Sequence, residues 1–260
     1  MMTEAPKPAG WCPPFTFEER LKHLLVPPSL YMTYKSSKER RRGEAEFALI
    51  PTLSDPEKTS IDAGANVGTW AWEMARHARA VHAFEPNPKN LVKLRRNVGG
   101  RKNVTVHAVA LSDASGEAVL RIPKGTKGHS NQRASLSEIA VGADQNFTPV
   151  SVEQKRLDDY DFHNVGFIKI DVEGFELALL KGAAATLARE RPTLLIEMEE
   201  IHARRPITDL IGEVCAYGYD CSYLKRGKLV DIAGFDPETQ HRHPKTREDY
   251  VFNFVFLPRR

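Results

Sequence analysis

Five short apolar runs in the middle of the chain each close on a polar or acidic residue. Thr59-Ser60-Ile61 ends at Asp62, and Val81–Phe84 ends at Glu85. Val104–Ala110 leads into Leu111-Ser112-Asp113, Phe167–Ile170 ends at Asp171, and Thr193–Ile196 ends at Glu197. Runs this short and this apolar fit strands buried on both faces of a parallel sheet. The stretches between them repeat at helical spacing. Gly68–Ala78 puts Ala71, Met74, Ala75 and Ala78 on one face, with Trp70 and Trp72 off it. Asn87 caps a helix whose first turn holds Pro88 and whose stripe is Leu91, Leu94 and Val98. Leu177, Leu180, Ala184 and Leu187 form another stripe, and Ile207, Leu210, Ile211, Val214 and Cys215 a last one, stopped by Gly218. Asp220–Leu224 and Tyr250–Leu257 read as closing strands. The pattern predicts an α/β protein with a doubly wound, Rossmann-like sheet, mostly parallel, with an antiparallel C-terminal strand.

Other segments fit this scheme less closely. Residues 1–41 read as an N-terminal extension, irregular through its prolines and then helical from Phe17 to Val26, where Pro27-Pro28 stops it. Residues 42–260 read as the main domain, with Glu44–Leu53 a helix beside the first turn. Glu117–Ile122 and Val150–Lys155 read as extra strands flanking a polar insertion near 124–147. A loop that long inside a domain suggests a substrate lid, with His129, Ser130, Asn131 and Arg133 as its polar candidates. Lys35–Arg42 reads as a solvated basic helix face or, alternatively, a patch for a phosphate or acidic partner. Lys89, Lys93 and Arg96 are expected to face solvent. Lys225–Asp249 is charged and His-rich, and His241 with His243 is a weak metal signal.

Composition narrows the function classes. A formal net charge of +3 is too small to imply a nucleic-acid partner. No apolar run reaches the roughly 20 residues of a membrane span. Cys12, Cys215 and Cys221 lack metal-ligand spacing and read as free thiols, and Met1–Gly10 shows no apolar leader. A cytoplasmic location is the expectation. Oligomeric state is not legible.

The chemistry starts at the turn after the first run, Asp62-Ala63-Gly64-Ala65-Asn66-Val67-Gly68. Strand, glycine turn, helix, strand and carboxylate is the layout that seats an adenosine-containing cofactor. Glu85 is placed to accept ribose hydroxyls, and Asp62 to accept from an ammonium or from turn amides. The turn lacks the third glycine of a pyrophosphate-binding G-x-G-x-x-G. S-adenosylmethionine, with no phosphate and an amino-acid end, suits it better. The expected cofactor contacts are Asp62, Gly64, Ala65, Asn66, Gly68, Glu85 and Pro86. Ala110, Leu111 and Asp113 are added to these at the adenine edge, with an ordinary Asp turn as the alternative for Asp113.

With Phe84-Glu85-Pro86-Asn87-Pro88, Phe167-Ile168-Lys169-Ile170-Asp171-Val172-Glu173-Gly174 and Leu195-Ile196-Glu197, this stretch resembles the FkbM family of S-adenosylmethionine-dependent methyltransferases. The likeness runs from about Arg42 to Glu199. It implies O-methylation of a small hydroxylated substrate: a sugar, a glycolipid or a polyketide-type molecule. The strand ends place Asp171, Glu173 and Glu197 at the reacting centre as catalytic candidates. Asp171 is the expected general base and Glu197 the orienting group, and Mg²⁺ on the two carboxylates is the less favoured route. For Glu173, a helix-dipole role competes. A nicotinamide-dependent oxidoreductase and a non-catalytic cofactor-binding protein are the other readings.

Overall fold

Parallel pairing of the apolar runs organises the molecule. The computed structural model describes residues 5–125, 128–129, 134–136 and 146–259. Strands β1 (Thr59–Ala63), β2 (Ala80–Phe84) and β3 (Val104–His107) pair in parallel, as do β8 (Val165–Ile170) and β9 (Thr193–Glu197). β1 pairs with β2 on one side and β8 on the other. The chain therefore winds outward from β1 to β3 and returns to the opposite side of β1. That reversal opens a crevice at the carboxyl ends of β1 and β8.

Beyond β9 the sheet turns antiparallel. β12 (Asn253–Pro258) pairs with β9, β10 (Tyr219–Lys225) with β12, and β11 (Lys228–Asp231) with β10. The full order is β11-β10-β12-β9-β8-β1-β2-β3. The closing strand is thus one of three antiparallel strands, and β11 lies in the segment read as a charged loop. In that segment His241 is buried, with Nδ1 2.7 Å from the Val251 carbonyl, while the His243 side chain is exposed. The two histidines serve different surroundings.

A second small sheet carries β4 (Ala110–Leu111), β5 (Gly116–Gly125), β6 (Gly128–His129) and β7 (Phe147–Lys155). β5 and β7 are the expected extra strands, longer than the sequence indicated, and pair antiparallel. Of the insertion, Ser130, Asn131 and Arg133 lie outside the described residues, as does its whole 137–145 portion.

Two helix expectations are corrected. The first core helix is only Thr69–Met74, and both its tryptophans are buried. Trp70 sits edge-on to Phe47 and Trp72 lies under the Arg101 guanidinium. The reason is the helix Pro28–Arg42, which docks outside it: Ser36 Oγ and Arg40 Nη2 donate to buried Glu73 at 2.8 and 2.6 Å. The helix is covered on the side an amphipathic surface helix would expose, and Arg40 of the basic cluster is consumed in doing so.

Lys89, Lys93 and Arg96, expected in solvent, instead hold the N-terminal extension on the helix Pro88–Val98. Lys89 and Lys93 reach the Glu19 carboxylate at 2.8 and 2.6 Å. Arg96 donates to the carbonyls of His23 and Val26.

Candidate active site

The glycine turn after β1 is tight because it passes directly under the end of β8. A Cβ on Gly64 would lie 1.8 Å from the Asp171 carbonyl oxygen, and the residue sits at φ +81°. Only glycine fits both conditions. Asn66 and Gly68 are also left-handed, at φ 51° and 87°.

Four of the five amides from Gly64 to Gly68 are spent within the protein. Gly64 and Ala65 N–H both donate to the Phe84 carbonyl at 3.0 and 2.9 Å, and Gly68 N–H to the Ala65 carbonyl at 2.7 Å. Asn66 N–H donates to Glu85 Oε2 at 2.7 Å, and Asn87 N–H to Glu85 Oε1 at 2.8 Å. These N–H groups are therefore not the free donors the glycine pattern suggested. What the turn presents to a ligand is the Glu85 carboxylate, aimed by two amides, with a second lone pair left on each oxygen.

Glu85 forms part of the lining of a cleft at the crevice. Gly64, Asn66 and Pro86 line it too, and Ala110, Leu111 and Val109 give it an apolar floor. Asp171, Val172 and Glu173 also line it, Asp171 directly against Gly64, and so do Ala134, Ser135 and Leu136 of the insertion. The cleft brings together six of the ten expected cofactor residues. Ala65, Gly68, Asp62 and Asp113 are not among its lining residues. The Asp113 carboxylate accepts from Lys181 Nζ at 3.0 Å on the half-exposed outer side, and the ion pair lowers its pKa. Asp62 lies behind the turn, fully buried, where the Lys169 charge and the Ala71 amide ease the cost of its burial.

Behind the cleft sits a buried group of charges. Lys169 is 2% exposed, donates to Asp171 Oδ2 at 2.8 Å and lies over the Trp70 ring. Burial opposes its charge, but Asp171, Asp62 and Glu44 together outweigh that and keep the ammonium protonated. Lys169 thus stands where a cation shared by the carboxylates would stand. Glu197, at the end of β9, is pushed far above the usual carboxylate range, first by burial and then by Asp171 and Glu44. That shift favours its protonated form, a hydrogen-bond donor. Among the described residues no group of three or more His, Cys, Asp or Glu is placed to hold a metal.

Glu173 sits at φ 54° before Gly174 at φ 93°. The helix after it is Glu176–Gly182, and it is Glu176 that accepts the Gly174 amide at 2.9 Å. The helix-start role considered for Glu173 therefore belongs to Glu176. Glu173 instead meets residues the sequence reading missed. Its carbonyl accepts from Ser135 Oγ at 2.5 Å, and its Oε2 is 3.5 Å from His202 Nε2. His202 is also 3.8 Å from Glu199 Oε2, and Glu199 Oε1 accepts from the Tyr250 hydroxyl at 2.7 Å. The i,i+3 spacing of Glu199 and His202 was the available signal. Tyr250 offered none.

Burial makes this site pH-sensitive. It raises Asp62 to about 6 and Glu85 and Glu176 to about 7. A carboxyl whose folded pKa lies above its unfolded value stabilises the fold below the unfolded value, and that stabilisation is lost as pH rises through the folded one. Stability should therefore fall between about pH 4 and pH 8, by up to ~3 kcal/mol per group at about 1.4 kcal/mol per pKa unit. Urea midpoints without ligand at several pH values check this. A midpoint that is flat or rises across that window contradicts it.

A parallel sheet with reversed winding, a glycine turn and an acidic residue after the second strand defines a Rossmann-like nucleoside-cofactor protein. The chain belongs to the FkbM methyltransferase domain family, whose match spans residues 62–224. It is 28% identical over 160 residues to the 2-O-methyltransferase NoeI of Sinorhizobium fredii, covering 55% of this chain and 64% of that protein. The chain thus spans just under two thirds of that relative's length. Methyltransferase FkbM from Methylobacillus flagellatus KT overlays with a TM-score of 0.48 at 18% identity, covering 92% of this chain and 57% of that one. An rRNA methylase from Streptococcus thermophilus overlays at 0.45 with 12% identity, over 82% of this chain and 93% of that one.

Proposed function

We propose that this chain is an S-adenosylmethionine-dependent O-methyltransferase acting on a hydroxyl of a sugar, glycolipid or polyketide-type small molecule. The observation that carries the reading is the cleft that the aimed Glu85 carboxylate lines together with Asp171 and Glu173. The 2-O-methyltransferase relative supports oxygen as the acceptor. The internally spent turn amides argue against the nicotinamide alternative, because a pyrophosphate needs free N–H groups at this place.

The residues fit the cofactor. Glu85 would hold the ribose hydroxyls, Ala110 and Leu111 the adenine plane, and the Gly64–Asn66 backbone the wall beside them. When bound, S-adenosylmethionine supplies an electrophilic methyl group on a sulfonium. The chain's part is to align the acceptor and take its proton. Lys169 occupies Asp171 Oδ2, so Oδ1 is the oxygen that receives the hydroxyl proton as the acceptor oxygen bonds to carbon. Glu197 lies behind the cleft and is not among its lining residues, so it would orient the acceptor through Asp171. Asp62 acts through Lys169 and not on the ligand.

The direct test is incubation with S-adenosylmethionine and a panel of hydroxylated sugars and glycolipids, read as a gain of about 14 Da, one methylene. A panel without any such product, from protein that binds the cofactor, removes the catalytic reading. The cofactor contact has its own test. Glu85→Ala should weaken S-adenosylmethionine binding by roughly 1.5–3 kcal/mol, the scale of charge-assisted hydrogen bonds. It should also cost about 1–3 kcal/mol of stability, because the Asn66 and Asn87 amides lose their acceptor. Calorimetry giving unchanged affinity in a folded variant would remove Glu85 from the site.

A further inference from the structure

The helix Phe17–Leu25 is mounted inside out. Its high-contrast apolar row, Phe17, Leu21, Leu24 and Leu25, follows i, i+4, i+7, i+8 spacing and so occupies one face. The opposite face carries Glu19 and His23, and it is this one that touches the body, through Lys89, Lys93 and Arg96. The apolar row is left outside: Phe17 and Leu24 are each 81% exposed, and no residue of the helix is buried. The next helix repeats the arrangement. Met32 and Ser36 face inward, while Leu30, 65% exposed, and Tyr34 stand outward in line with Lys38 and Arg41. Both helices precede the family match at 62–224.

We infer that this two-helix face docks on an anionic lipid surface. Charge selects the occupant. Residues 1–42 hold eight Lys and Arg against four Glu, although the whole chain nets only +3. Arg20 on the first helix and Lys38, Arg41 and Arg42 on the second are exposed, while Lys22 pairs with the equally exposed Glu18 at 2.6 Å. A two-fold partner would set this cationic face against its own copy, which is repulsive. A partner helix calls for a groove, and side chains this exposed protrude. Protruding Phe and Leu flanked by cations suit the acyl–headgroup boundary of a bilayer with acidic lipids. The helix that bears the apolar row is anchored near the cleft, since Lys89, which holds Glu19 on its inward face, adjoins Asn90 in the cleft lining. The inference holds whatever the methyl acceptor is, and its test needs no turnover.

The test is co-sedimentation of the full chain with vesicles of phosphatidylcholine alone or mixed with phosphatidylserine. Binding is expected to the mixed vesicles, to fall with added salt, and to drop at least about tenfold in Leu24→Glu/Leu25→Glu, which opposes insertion. Arg41→Gln/Arg42→Gln, on the other helix, should weaken it by up to about thirtyfold, at about 1 kcal/mol per surface cation. Both pairs are exposed, and thermal melts confirm folding. Absence of wild-type binding to the mixed vesicles overturns the inference, as does equal binding by both variants. A wild-type dimer in analytical ultracentrifugation that Leu24→Glu/Leu25→Glu abolishes assigns the face to a second copy and also overturns it.

Discussion

Asp171→Asn is expected to lower the rate of methyl transfer by about 10²–10⁴-fold, the range of a lost general base, with cofactor affinity largely kept. Asp171 follows β8 and lines the cleft with Glu85, and its backbone N–H is tied to the Ala63 carbonyl at 3.0 Å. Replacing one side-chain oxygen by an amide nitrogen leaves that frame in place and removes only the proton acceptor. The isostere still offers Lys169 an oxygen, so the buried ammonium keeps a partner. Leaving it without one would cost several kcal/mol. Asp171→Ala should therefore lose stability as well as rate, which separates the two roles. Because Lys169 already stands at Asp171 Oδ2, exhaustive chelation should leave turnover unchanged. Activity lost to EDTA and restored by Mg²⁺ would overturn the general-base mechanism and make Asp171 a metal ligand. Single-turnover rates with calorimetric cofactor affinities decide the Asp171→Asn part, and full turnover in that variant would move the base to another residue.

Gly64→Ala should be far more damaging than Gly68→Ala, although both glycines are left-handed at nearly the same φ. A left-handed alanine costs roughly 1–2 kcal/mol at either place. At Gly68 the new Cβ meets Leu94 Cδ1 at 2.6 Å and Val98 Cγ1 at 3.0 Å, side-chain ends that can shift. At Gly64 it meets the Asp171 carbonyl oxygen at 1.8 Å, backbone held in the β1–β8 pairing. Relief requires separating the two strands whose junction makes the cleft, adding roughly 1–3 kcal/mol as overpacking does. Gly64→Ala should thus lose about 2–5 kcal/mol in total and bind cofactor weakly even where folded, while Gly68→Ala should remain functional. Urea midpoints for the two variants check the order. Equal costs would mean the β1–β8 junction is softer than its geometry implies.

Much of this site was readable along the chain because its parts are local. Asp62, Glu85, Asp171 and Glu197 announce themselves as polar residues that end apolar runs, and Asn87 caps the helix it was expected to cap. Asp113 shows where that logic stops: its turn is where the winding predicts, but Lys181, on a helix near 70 residues away, takes its carboxylate outside the cleft. The same holds for Lys89, Lys93 and Arg96. Three cations on one helix face look solvated until a segment more than 60 residues earlier is laid across them.

The sequence by itself determined the doubly wound order, the glycine turn and the family, because strand period, left-handed backbone and short motifs are written within a few residues. Only the tertiary structure decided what those residues do to one another. Lys169 came to neutralise Asp171, and Glu197 to be a proton donor, because burial and charges from separate strands set protonation and no spacing records them. Glu173 came to face His202, backed by Glu199 and Tyr250, through the pairing of β9 with a strand at the far end of the chain. The helix at Phe17–Leu25 shows an ordinary amphipathic period, and nothing in that period says which face is turned to the body. The docking of Glu19 onto Lys89 and Lys93 decided it, and left the apolar face outside.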